Sequence, residues 1–498
     1  MNRSGVSRRS FVKEVLVGAA TLTVPGVGTG RAEPPEDNAP GDEAAESQGT
    51  EEESAERVPT LTRPANLLVI MADQQSCWTL GAYGSINGER QNVIGTPHID
   101  GLARDGAKIT QYFTNSPLCT PSRGCAMTGR YPFSHGAYDN DVPLNSGEIT
   151  LAHCLAALDY QTGYAGKWHL AGTASPGWAP AAKMGFTDNR FMFNRGHWKK
   201  IVSRSSGPPK TFPYSEIGTG PTYTTNWITD RAIEFVTAHK DDPFFYMVSF
   251  PDPHPPYTVQ SSYADDYREG SMLIPSTFKP DPVNGVRSAA ELRSLKAQYC
   301  GEVKCIDDNV GRLLSALERL GLTNNTMVVF IADHGDYMGE HGRLGKDHYY
   351  EAAIRIPCLI KFPGKVRAGH VVNELVSSVD LMPTLLGLLG APKSGREQGR
   401  DASRLLLGAS TAWNNQVFIH DPHNDYAAVF TPEVELVLQR RGGHVLFDRL
   451  RDPLQQANLY SDARFVTTIR TLGQAIVAQH AAQATPAYTW LKDITFPS

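Results

Sequence analysis

Three short, continuous apolar runs constrain the fold of this chain more than any other feature of its sequence. They occupy residues 67–71, 244–248 and 327–331, and uninterrupted apolar runs of this length are typical of strands that are covered on both faces in a mostly parallel sheet. Helical periods lie between them, for example at residues 227–238 and 292–320. The alternation predicts an α/β fold in which helices sandwich a large, mostly parallel sheet.

The N-terminal part is predicted to lie outside this fold. Arg8 and Arg9 stand shortly before a weakly apolar stretch at residues 15–27, which is shorter than the roughly 20 apolar residues that a membrane-spanning helix needs. The pattern is similar to a twin-arginine export signal over residues 1–32, and a basic disordered tail is the alternative. Residues 33–60 are rich in Glu, Pro, Ser and Ala and are predicted to form an acidic disordered linker.

Charge and cysteine content argue against two classes of protein: those that bind nucleic acid or membranes through a global charge, and those built on a disulfide framework. The formal charge of −5 comes from the N-terminal part, and residues 61–498 carry equal numbers of basic and acidic side chains. No global charge therefore favours nucleic acid or an anionic membrane surface as a partner. The seven cysteines are odd in number and lack the spacing of a metal finger, so no disulfide framework is predicted.

Reactive side chains follow four of the predicted strands. In an open α/β sheet, ligands collect beyond the carboxyl ends of the strands, so residues in these positions are candidates for a functional site. A weaker strand at residues 162–165 contributes the fourth end. The candidates are Asp73 and Gln74 after the first run, Lys167 and His169 after the weaker strand, His254 after the second run, and Asp333 and His334 after the third run.

Two of these strand ends carry the donor types of a metal site. Asp73, Gln74 and Asp333 offer two carboxylates and a carboxamide oxygen, which suit a hard divalent cation such as calcium or magnesium. His334 adds a borderline nitrogen donor, which leaves manganese and zinc open. Taken singly, an Asp in such a position is more often a helix cap or a turn former. The prediction of a metal therefore depends on these strands meeting at one sheet edge.

The segment at residues 117–130 carries the most specific pattern. Pro121 is tolerated in a first helical turn, so Cys119 is predicted to lie just ahead of a helix whose free N–H groups favour an anion. Arg123 adds a permanent cation there. An unmodified thiol in this setting would have a lowered pKa and would act as a nucleophile. A small buried cysteine is the alternative.

The pattern Cys119-x-Pro121-Ser122-Arg123 resembles the type I sulfatase family of the alkaline phosphatase superfamily, in which this cysteine is oxidised to the aldehyde formylglycine. Further segments are similar to motifs of the family and follow in its order, so the resemblance covers about residues 64–460. They are residues 96–103, 128–130, 166–169, 254–256, 333–335, 345–346, 378–384 and 446–453.

The resemblance implies a sulfatase catalytic domain at residues 61–400 and a C-terminal subdomain at residues 401–498. In the second part, apolar segments at 417–419 and 434–438 alternate with turns before a helical stretch near 465–482. In the family, this region is a small antiparallel sheet with a packed helix. Its expected role is to complete the cleft.

The resemblance also implies the metal ligands. Asp73, Gln74, Asp333 and His334 match metal positions of the family, where calcium is usual, and the modified Cys119 lies close to the metal. Gln74 stands where a second Asp is commoner, and His334 stands where Asn is commoner. A carboxamide in place of a carboxylate lowers the negative charge of the site, which leaves the identity of the metal open.

Roles in catalysis follow from the same resemblance. The aldehyde at Cys119 would hydrate, and one hydroxyl would attack the sulfur of a sulfate ester. Lys167 and Lys346 would hold the sulfate oxygens together with the metal, and His254 would protonate the leaving oxygen.

Release of sulfate would use the second hydroxyl of the hydrate. Arg123 would brace the hydrated aldehyde, and His169 would take a proton from that hydroxyl once the alcohol has left. The carbon–oxygen bond would then break, which frees sulfate and restores the aldehyde. A serine in this position would remain as a stable sulfate ester.

Three other polar segments could line the substrate end of the pocket. A solvated loop is the preferred interpretation of each. They are His135 with Asp139, Asn140 and Asp141, then residues 195–200, then His420 with Asp421, His423 and Asn424.

Three functions remain open at this point. The first is hydrolysis of sulfate esters, expected on sulfated carbohydrates, by an exported periplasmic or extracellular enzyme that a formylglycine-generating enzyme matures. The second is hydrolysis of phosphate or phosphonate esters on the same fold, since the tetrahedral anions are similar in size. The third is noncatalytic binding of sulfate esters, expected if Cys119 stays unmodified. None of them involves nucleic acid or a stable membrane span.

Overall fold

The structure is a computed structural model that describes most of the chain after residue 63. The predicted export signal at 1–32 and the predicted linker at 33–60 lie outside the described residues. Within the described part, no helix is both long and apolar enough to cross a membrane. The described residues are 64–87, 94–281, 285–483 and 486–497.

An eight-stranded sheet and a two-stranded ribbon account for the first ten strands. The ribbon pairs β5 (Ile201–Val202) with β6 (Lys210–Thr211). The strands of the large sheet are β1 (Asn66–Ala72), β2 (Ala107–Phe113), β3 (Gln161–Lys167), β4 (Asp188–Phe193), β7 (Phe244–Phe250), β8 (Thr326–Ala332), β9 (Cys358–Lys361) and β10 (His370–Ser377).

The large sheet is mostly parallel. Its strands follow the order β10-β2-β9-β8-β1-β7-β3-β4. β9 runs antiparallel to both of its neighbours, β2 and β8, while the other neighbouring strands run parallel. Helices cover both faces, so the predicted α/β fold with a large, mostly parallel sheet is confirmed.

Strand β1 shows why the apolar runs are continuous. All of its side chains are buried, with Leu67 and Val69 in the hydrophobic cluster on one face and Leu68 and Ile70 in the cluster on the other. A strand buried on both faces has no polar positions to alternate with. Ala72 pairs with the last residue of β7 and the last residue of β8, so the three strands end level and deliver their next residues to one edge.

The helices surround this sheet. The longest, α8, packs against α6 and α2 on one face. The helices are α1 (Gly84–Asn87), α2 (Pro97–Arg104), α3 (Cys119–Thr128), α4 (Pro132–His135), α5 (Leu151–Ala156), α6 (Thr224–Ala238), α7 (Ser261–Ala264), α8 (Ala289–Arg319), α9 (Glu351–Ile354), α10 (Ser378–Leu389), α11 (Ser403–Leu406) and α12 (Val466–Ala482).

A four-stranded antiparallel sheet follows the main sheet in the chain, as predicted for the C-terminal region. One face of it packs against Phe113 of β2 and Leu375 of β10, and the other packs against Ile469 and Ile476 of α12. The division at residue 400 stays a prediction. The strands, in spatial and chain order, are β11 (Val417–His420), β12 (Tyr426–Phe430), β13 (Val434–Gln439) and β14 (Val445–Asp448).

No disulfide joins any two of the seven cysteines, all of which lie buried in the described part. This agrees with their odd number and irregular spacing. Small buried thiols of this kind pack as apolar groups.

Candidate active site

Residue 119 meets the ends of β1 and β8 at the edge of the main sheet. Cys119 is the first residue of α3 and is buried. Its Sγ lies 3.2 Å from Nε2 of His334 and 3.7 Å from Oδ1 of Asp73. Asp73 and Asp333 are joined through the backbone, because the Asp333 N–H donates to the carbonyl of Ala72 over 3.2 Å. The segments predicted to converge therefore do so.

Asp73 is fully buried among cations. Its Oδ2 accepts hydrogen bonds from Nζ of Lys167, the last residue of β3, and from Nη2 of Arg123 at 3.1 Å. Burial alone would raise the pKa of Asp73, but Lys167, His254 and Arg123 outweigh it and hold the pKa well below its usual value. Asp73 is therefore a carboxylate, the form that can bind a cation.

Arg123 ties the two carboxylates to the neighbouring strands. Its Nε donates to Oδ2 of Asp333 over 2.9 Å, and its Nη1 donates to the carbonyl of Lys167 over 2.6 Å and to Oγ of Ser249 over 2.8 Å. With the bond to Asp73, the planar guanidinium holds four groups at once. The predicted role of Arg123 in bracing a hydrated aldehyde stays a prediction.

Gln74 and His334 turn their donor atoms toward the same space. Gln74 has a positive φ of 63°, and its Oε1 accepts a hydrogen bond from Nζ of Lys346 over 2.5 Å. Nδ1 of His334 lies 3.1 Å from the carbonyl of Gly335, an acceptor, so Nδ1 carries the hydrogen. Nε2 is then the atom that faces Cys119 and that a metal would use.

This donor set fits a divalent cation. Asp73, Cys119, Asp333 and His334 are all buried, and one ligand atom from each lies within 4.8 Å of the others. Two carboxylates and a carboxamide oxygen are hard donors, as calcium and magnesium require, and the imidazole extends the range to softer metals. The choice among these metals stays a prediction.

Two ammonium groups flank residue 119. Nζ of Lys167 lies 3.4 Å and Nζ of Lys346 lies 3.7 Å from Sγ of Cys119. Burial and the charge of Asp73 would raise the pKa of the Cys119 thiol, but Lys167, Lys346 and His334 outweigh them and lower this pKa well below its usual value. The lowered pKa was predicted from the helix and Arg123; Arg123 does interact with Cys119, and Lys167, Lys346 and His334 add to the effect.

His254 lies at the site together with His197, which belongs to the segment 195–200 that the sequence interpretation prefers as a solvated loop. The rings of His254 and His197 stack at 3.6 Å with an interplanar angle of 5°. Nε2 of His197 lies 2.8 Å from Nζ of Lys167 and 3.7 Å from Oδ2 of Asp73. Burial and the neighbouring cations lower the pKa of both imidazoles. His197 is therefore part of the candidate site.

His169 also reaches the site, from the loop after β3. It has a positive φ of 59°, and its carbonyl accepts a hydrogen bond from Oγ1 of Thr120 over 2.8 Å. Its Nε2 lies 3.5 Å from Oδ1 of Asp141. Burial and the charge of Lys167 lower the pKa of His169, so the ring is neutral and can accept a proton.

The interpretation of residues 195–200 as a solvated loop is wrong. Trp198 and Lys199 are buried, and Nζ of Lys199 donates to Oδ1 of Asp252 over 2.6 Å and to Oε1 of Glu302 over 2.8 Å. Asp252 also accepts a hydrogen bond from the hydroxyl of Tyr223 over 2.8 Å. A Lys-Lys pair beside a Trp gives no signal of burial by itself, because the partner carboxylates lie far away in the chain.

The segment that follows α3 contributes to the site in part. Asp141 accepts a hydrogen bond from Nη1 of Arg195 over 2.6 Å, and Oδ1 of Asn140 accepts from the N–H of Thr120 over 3.2 Å. His135 is instead fully buried, and its ring lies against Gly124 of α3. A solvated loop is therefore the wrong interpretation for His135.

The C-terminal candidates divide in the same way. His423 is half exposed and lies 3.7 Å from Oδ2 of Asp139, as in a solvated loop. His420 and Asp421 are buried, and the ring of His420 packs 4.4 Å from that of His480 on α12. Asn424 accepts a hydrogen bond from the indole of Trp490 over 2.9 Å. His420 and Asn424 therefore have structural contacts within the C-terminal part.

We expect His480 to make the protein sensitive to acid. Neither of its ring nitrogens has a hydrogen-bond partner in the described part, and burial lowers its pKa to about 3 from 6.5. The unfolded chain then binds the proton more readily, so stability falls as the pH drops below 6.5, by about 1.4 kcal/mol per unit for one such group. Between pH 6.5 and pH 5, the melting temperature of the His480→Phe variant should fall less than that of the unaltered protein, as measured by calorimetry. An unchanged slope would contradict this account.

Comparison with known proteins gives a family for this fold and site. A family profile described as sulfatase matches residues 65–391, and one described as N-sulphoglucosamine sulphohydrolase, C-terminal, matches residues 339–482. The chain is 30% identical over 425 residues to the ulvan-active sulfatase of Formosa agariphila, across 82% of this chain and 79% of that protein. It is 24% identical over 504 residues to the N-acetylglucosamine-6-O-sulfatase of Bacteroides thetaiotaomicron, across 83% and 86%.

A solved structure shares the fold. The phosphonate monoester hydrolase of Agrobacterium radiobacter superposes with a TM-score of 0.72 at 22% identity, over 86% of this chain and 97% of that one. Together, the matches define a sulfuric ester hydrolase with the alkaline phosphatase-like sulfatase fold. Within that class, the chain belongs to the sulfatase family, which confirms the resemblance drawn from its motifs.

Proposed function

We propose that this protein hydrolyses sulfate esters of carbohydrates, with a formylglycine derived from Cys119 as its nucleophile. One observation carries the proposal: residue 119 lies between two ammonium groups, one buried and one half-buried, and a buried carboxylate cluster. Cations on one side suit a tetrahedral anion, and carboxylates on the other suit a metal that activates the nucleophile. A noncatalytic binder would not need both.

Lys167 and Lys346 hold the sulfate group. Their Nζ atoms lie within 3.7 Å of Sγ of Cys119, so a sulfur atom placed for attack by residue 119 would have its oxygens next to both. Lys167 is fully buried and Lys346 is half-buried, and where water is excluded a charge acts more strongly on the anion. Lys346 is held in position by Gln74.

Attack and departure of the alcohol involve residue 119 and His254. One hydroxyl of the hydrated aldehyde, after it has lost its proton to solvent, forms the new bond to sulfur, and the bond from sulfur to the alcohol oxygen breaks. His254 delivers a proton to that oxygen. Because its Nδ1 donates to the carbonyl of Pro255 over 2.9 Å, Nε2 is the atom that can face the alcohol oxygen, and it delivers the proton when the ring is in its imidazolium form.

Release of sulfate depends on His169. Its neutral ring takes the proton of the second hydroxyl, the carbon–oxygen bond to sulfate breaks, and the aldehyde returns. Asp141, 3.5 Å from Nε2 of His169, stabilises the imidazolium that forms. Asp141 is itself bound by Arg195, so the base is oriented by a pair of side chains.

A divalent cation completes the site. Calcium is the usual metal in the family. Asp73, Gln74, Asp333 and His334 would hold it, along with the modified residue 119. When bound, it supplies positive charge that favours ionisation of the attacking hydroxyl and neutralises charge on the sulfate.

The relatives and the rim of the site support a carbohydrate substrate. One relative is named an N-acetylglucosamine-6-O-sulfatase. Arg195 and Asp141 are part-exposed beside His169, and the pair of Asp139 with His423 is more exposed. Such polar groups can bind sugar hydroxyls. The twin arginines Arg8 and Arg9 support export to the periplasm or beyond, after a formylglycine-generating enzyme has acted.

Phosphonate ester hydrolysis is the second candidate. The structural likeness to a phosphonate monoester hydrolase favours it, and two ammonium groups would hold a phosphonate as they hold a sulfate. The match of the sulfatase profile to residues 65–391 favours sulfate. The ratio of kcat/KM for an aryl sulfate to that for the matching aryl phosphonate decides between the two, and a ratio below one would reverse the order.

Mass spectrometry of a tryptic digest tests the nucleophile. We expect the peptide covering residues 109–123 to carry an aldehyde or its hydrate at Cys119, because the motif around it is that of converted cysteines. The adjoining peptide, residues 124–130, contains Cys125 and supplies the control, since that cysteine should appear as an alkylated thiol. An active preparation in which Cys119 is fully alkylated would overturn the proposed mechanism.

A further inference from the structure

Asp336 joins three parts of the candidate site. It lies two residues after His334 and is fully buried. Its Oδ2 accepts hydrogen bonds from Nε2 of Gln74 and, over 2.6 Å, from the hydroxyl of Tyr257. Its Oδ1 accepts from the N–H of Gly345 over 2.9 Å. Gln74 lies beside the metal position, Tyr257 follows His254 in the chain, and Gly345 directly precedes Lys346.

The carboxylate of Asp336 decides which way the carboxamide of Gln74 points. A carboxylate only accepts hydrogen bonds, so it takes the NH2 group of Gln74 and leaves Oε1 on the opposite side. Oε1 receives the hydrogen bond from Lys346, whose Nζ lies 3.7 Å from Sγ of Cys119. The reversed carboxamide would present two N–H donors to a cation, which binds oxygen.

Asp336 is also compatible with the carboxamide at position 74, where a second Asp is commoner in the family. An acidic side chain reaching the place of the Gln74 carboxamide would set a second carboxylate against the buried carboxylate of Asp336. Two buried carboxylates in contact cannot both stay ionised. A carboxamide supplies both an oxygen for the cation and a donor for Asp336.

We propose that Asp336 is a positioning residue that orients the carboxamide oxygen of Gln74 toward the cation and holds the backbone before Lys346. Its effect on turnover rests on the proposed function. Its effect on cation binding does not, because binding requires neither a sulfate ester nor conversion of Cys119. The proposed function can therefore be wrong while the role of Asp336 in cation binding is right, and the reverse also holds.

The Asp336→Asn variant reverses the hydrogen bonding at this point. Two backbone N–H groups, those of Met338 and Gly345, donate to Oδ1, so the new side chain must keep its oxygen there and turn its NH2 group toward Gln74. The carboxamide of Gln74 then has to flip to accept that hydrogen bond. Calcium binding should weaken by about 10-fold to 100-fold, the usual effect of losing a partner that orients a metal ligand.

A second substitution should restore binding. In the double variant Gln74→Glu with Asp336→Asn, one oxygen at position 74 accepts the hydrogen bond from the new NH2 group and the other faces the cation. We expect the double variant to bind calcium at least about 10-fold more tightly than Asp336→Asn, and more tightly than Gln74→Glu alone, in which two carboxylates repel. A general loss of packing would not be repaired by a second change.

Isothermal titration of chelator-treated protein with calcium chloride provides the measurement, with thermal melts to verify folding. Asp380→Asn is the matched control, because Asp380 is another buried carboxylate that accepts two backbone N–H groups, those of Ser377 and Arg400, and it is in none of the side-chain groups of the described part that could hold a metal. It should leave calcium affinity unchanged. The proposal is overturned if unaltered protein binds no calcium, if Asp336→Asn binds it normally, or if the double variant is no tighter. If Asp336→Asn does not fold, the comparison of Gln74→Glu with the double variant decides.

Discussion

The Cys119→Ala variant is expected to fold normally, to bind sulfate esters and to lose turnover by roughly 10⁴-fold or more, as enzymes do when their nucleophile is removed. Residue 119 supplies the atom that bonds to sulfur, and no other hydroxyl or thiol is proposed to replace it. Lys167 and Lys346, which hold the anion, keep their other partners, Asp73 and Gln74. The loss should therefore appear in kcat, with little change in the dissociation constant.

A second cysteine in the same helix supplies the control. Cys125 lies six residues further along α3 and is buried, with its Sγ 3.7 Å from Nε2 of His135. Cys125→Ala removes a small apolar group from the core, which costs stability but no reacting atom. It should keep kcat within a few-fold of the unaltered protein. Retained turnover in Cys119→Ala would reject the assigned nucleophile.

The same pair of variants separates the candidate functions. An enzyme that uses one nucleophile for sulfate and phosphonate esters should lose both activities together in Cys119→Ala. A noncatalytic binder would show no turnover before the substitution and unchanged binding after it. The substitution therefore tests the mechanism, and the ratio of the two activities in unaltered protein tests the substrate.

The strands that carry the site could be predicted because burial on both faces leaves a mark in the sequence. β1, β7 and β8 have no exposed residue to interrupt their apolar runs. Once they are placed side by side in parallel, their ends must lie at one edge, so Asp73 and Asp333 are expected to meet. The antiparallel strand β9 has no such mark, since its four residues fit either direction.

Side chains whose partners are distant in the chain could not be predicted in the same way. His197 lies in the site because Lys167 and Asp73 surround it, and Asp336 matters because it meets Gln74, 262 residues away. In the sequence, each is an ordinary polar residue, because its partner side chain lies far away in the chain and only the fold brings the two together. The interpretation of residues 195–200 failed for this reason, because a charged side chain is buried only where its counter-charges are.

Replacement of Lys199 is expected to have a large effect on stability. It is fully buried and bridges Asp252 and Glu302. Lys199→Ala leaves both acids without a counter-charge, which typically costs about 3–5 kcal/mol, out of about 5–15 kcal/mol for a whole domain. Activity should fall as well, since the carbonyl of Asp252 accepts a hydrogen bond from the N–H of Asp73 and His254 follows two residues later.

The pH dependence of this loss identifies its cause. Burial and Asp252 already raise the pKa of Glu302 well above its usual value, and Lys199 opposes that rise. Without Lys199, the pKa of Glu302 should rise further, so the folded protein should hold a proton on Glu302 that the unfolded chain releases, and the deficit should grow as the pH rises from 5 to 8. The neighbouring Lys200→Ala removes a part-exposed ion pair with Glu216 and should cost about 1 kcal/mol or less. Urea unfolding of both variants at the two pH values gives the comparison. Equal losses in the two variants, or a deficit in Lys199→Ala that does not depend on pH, would show that lost packing rather than unpaired charge explains the effect.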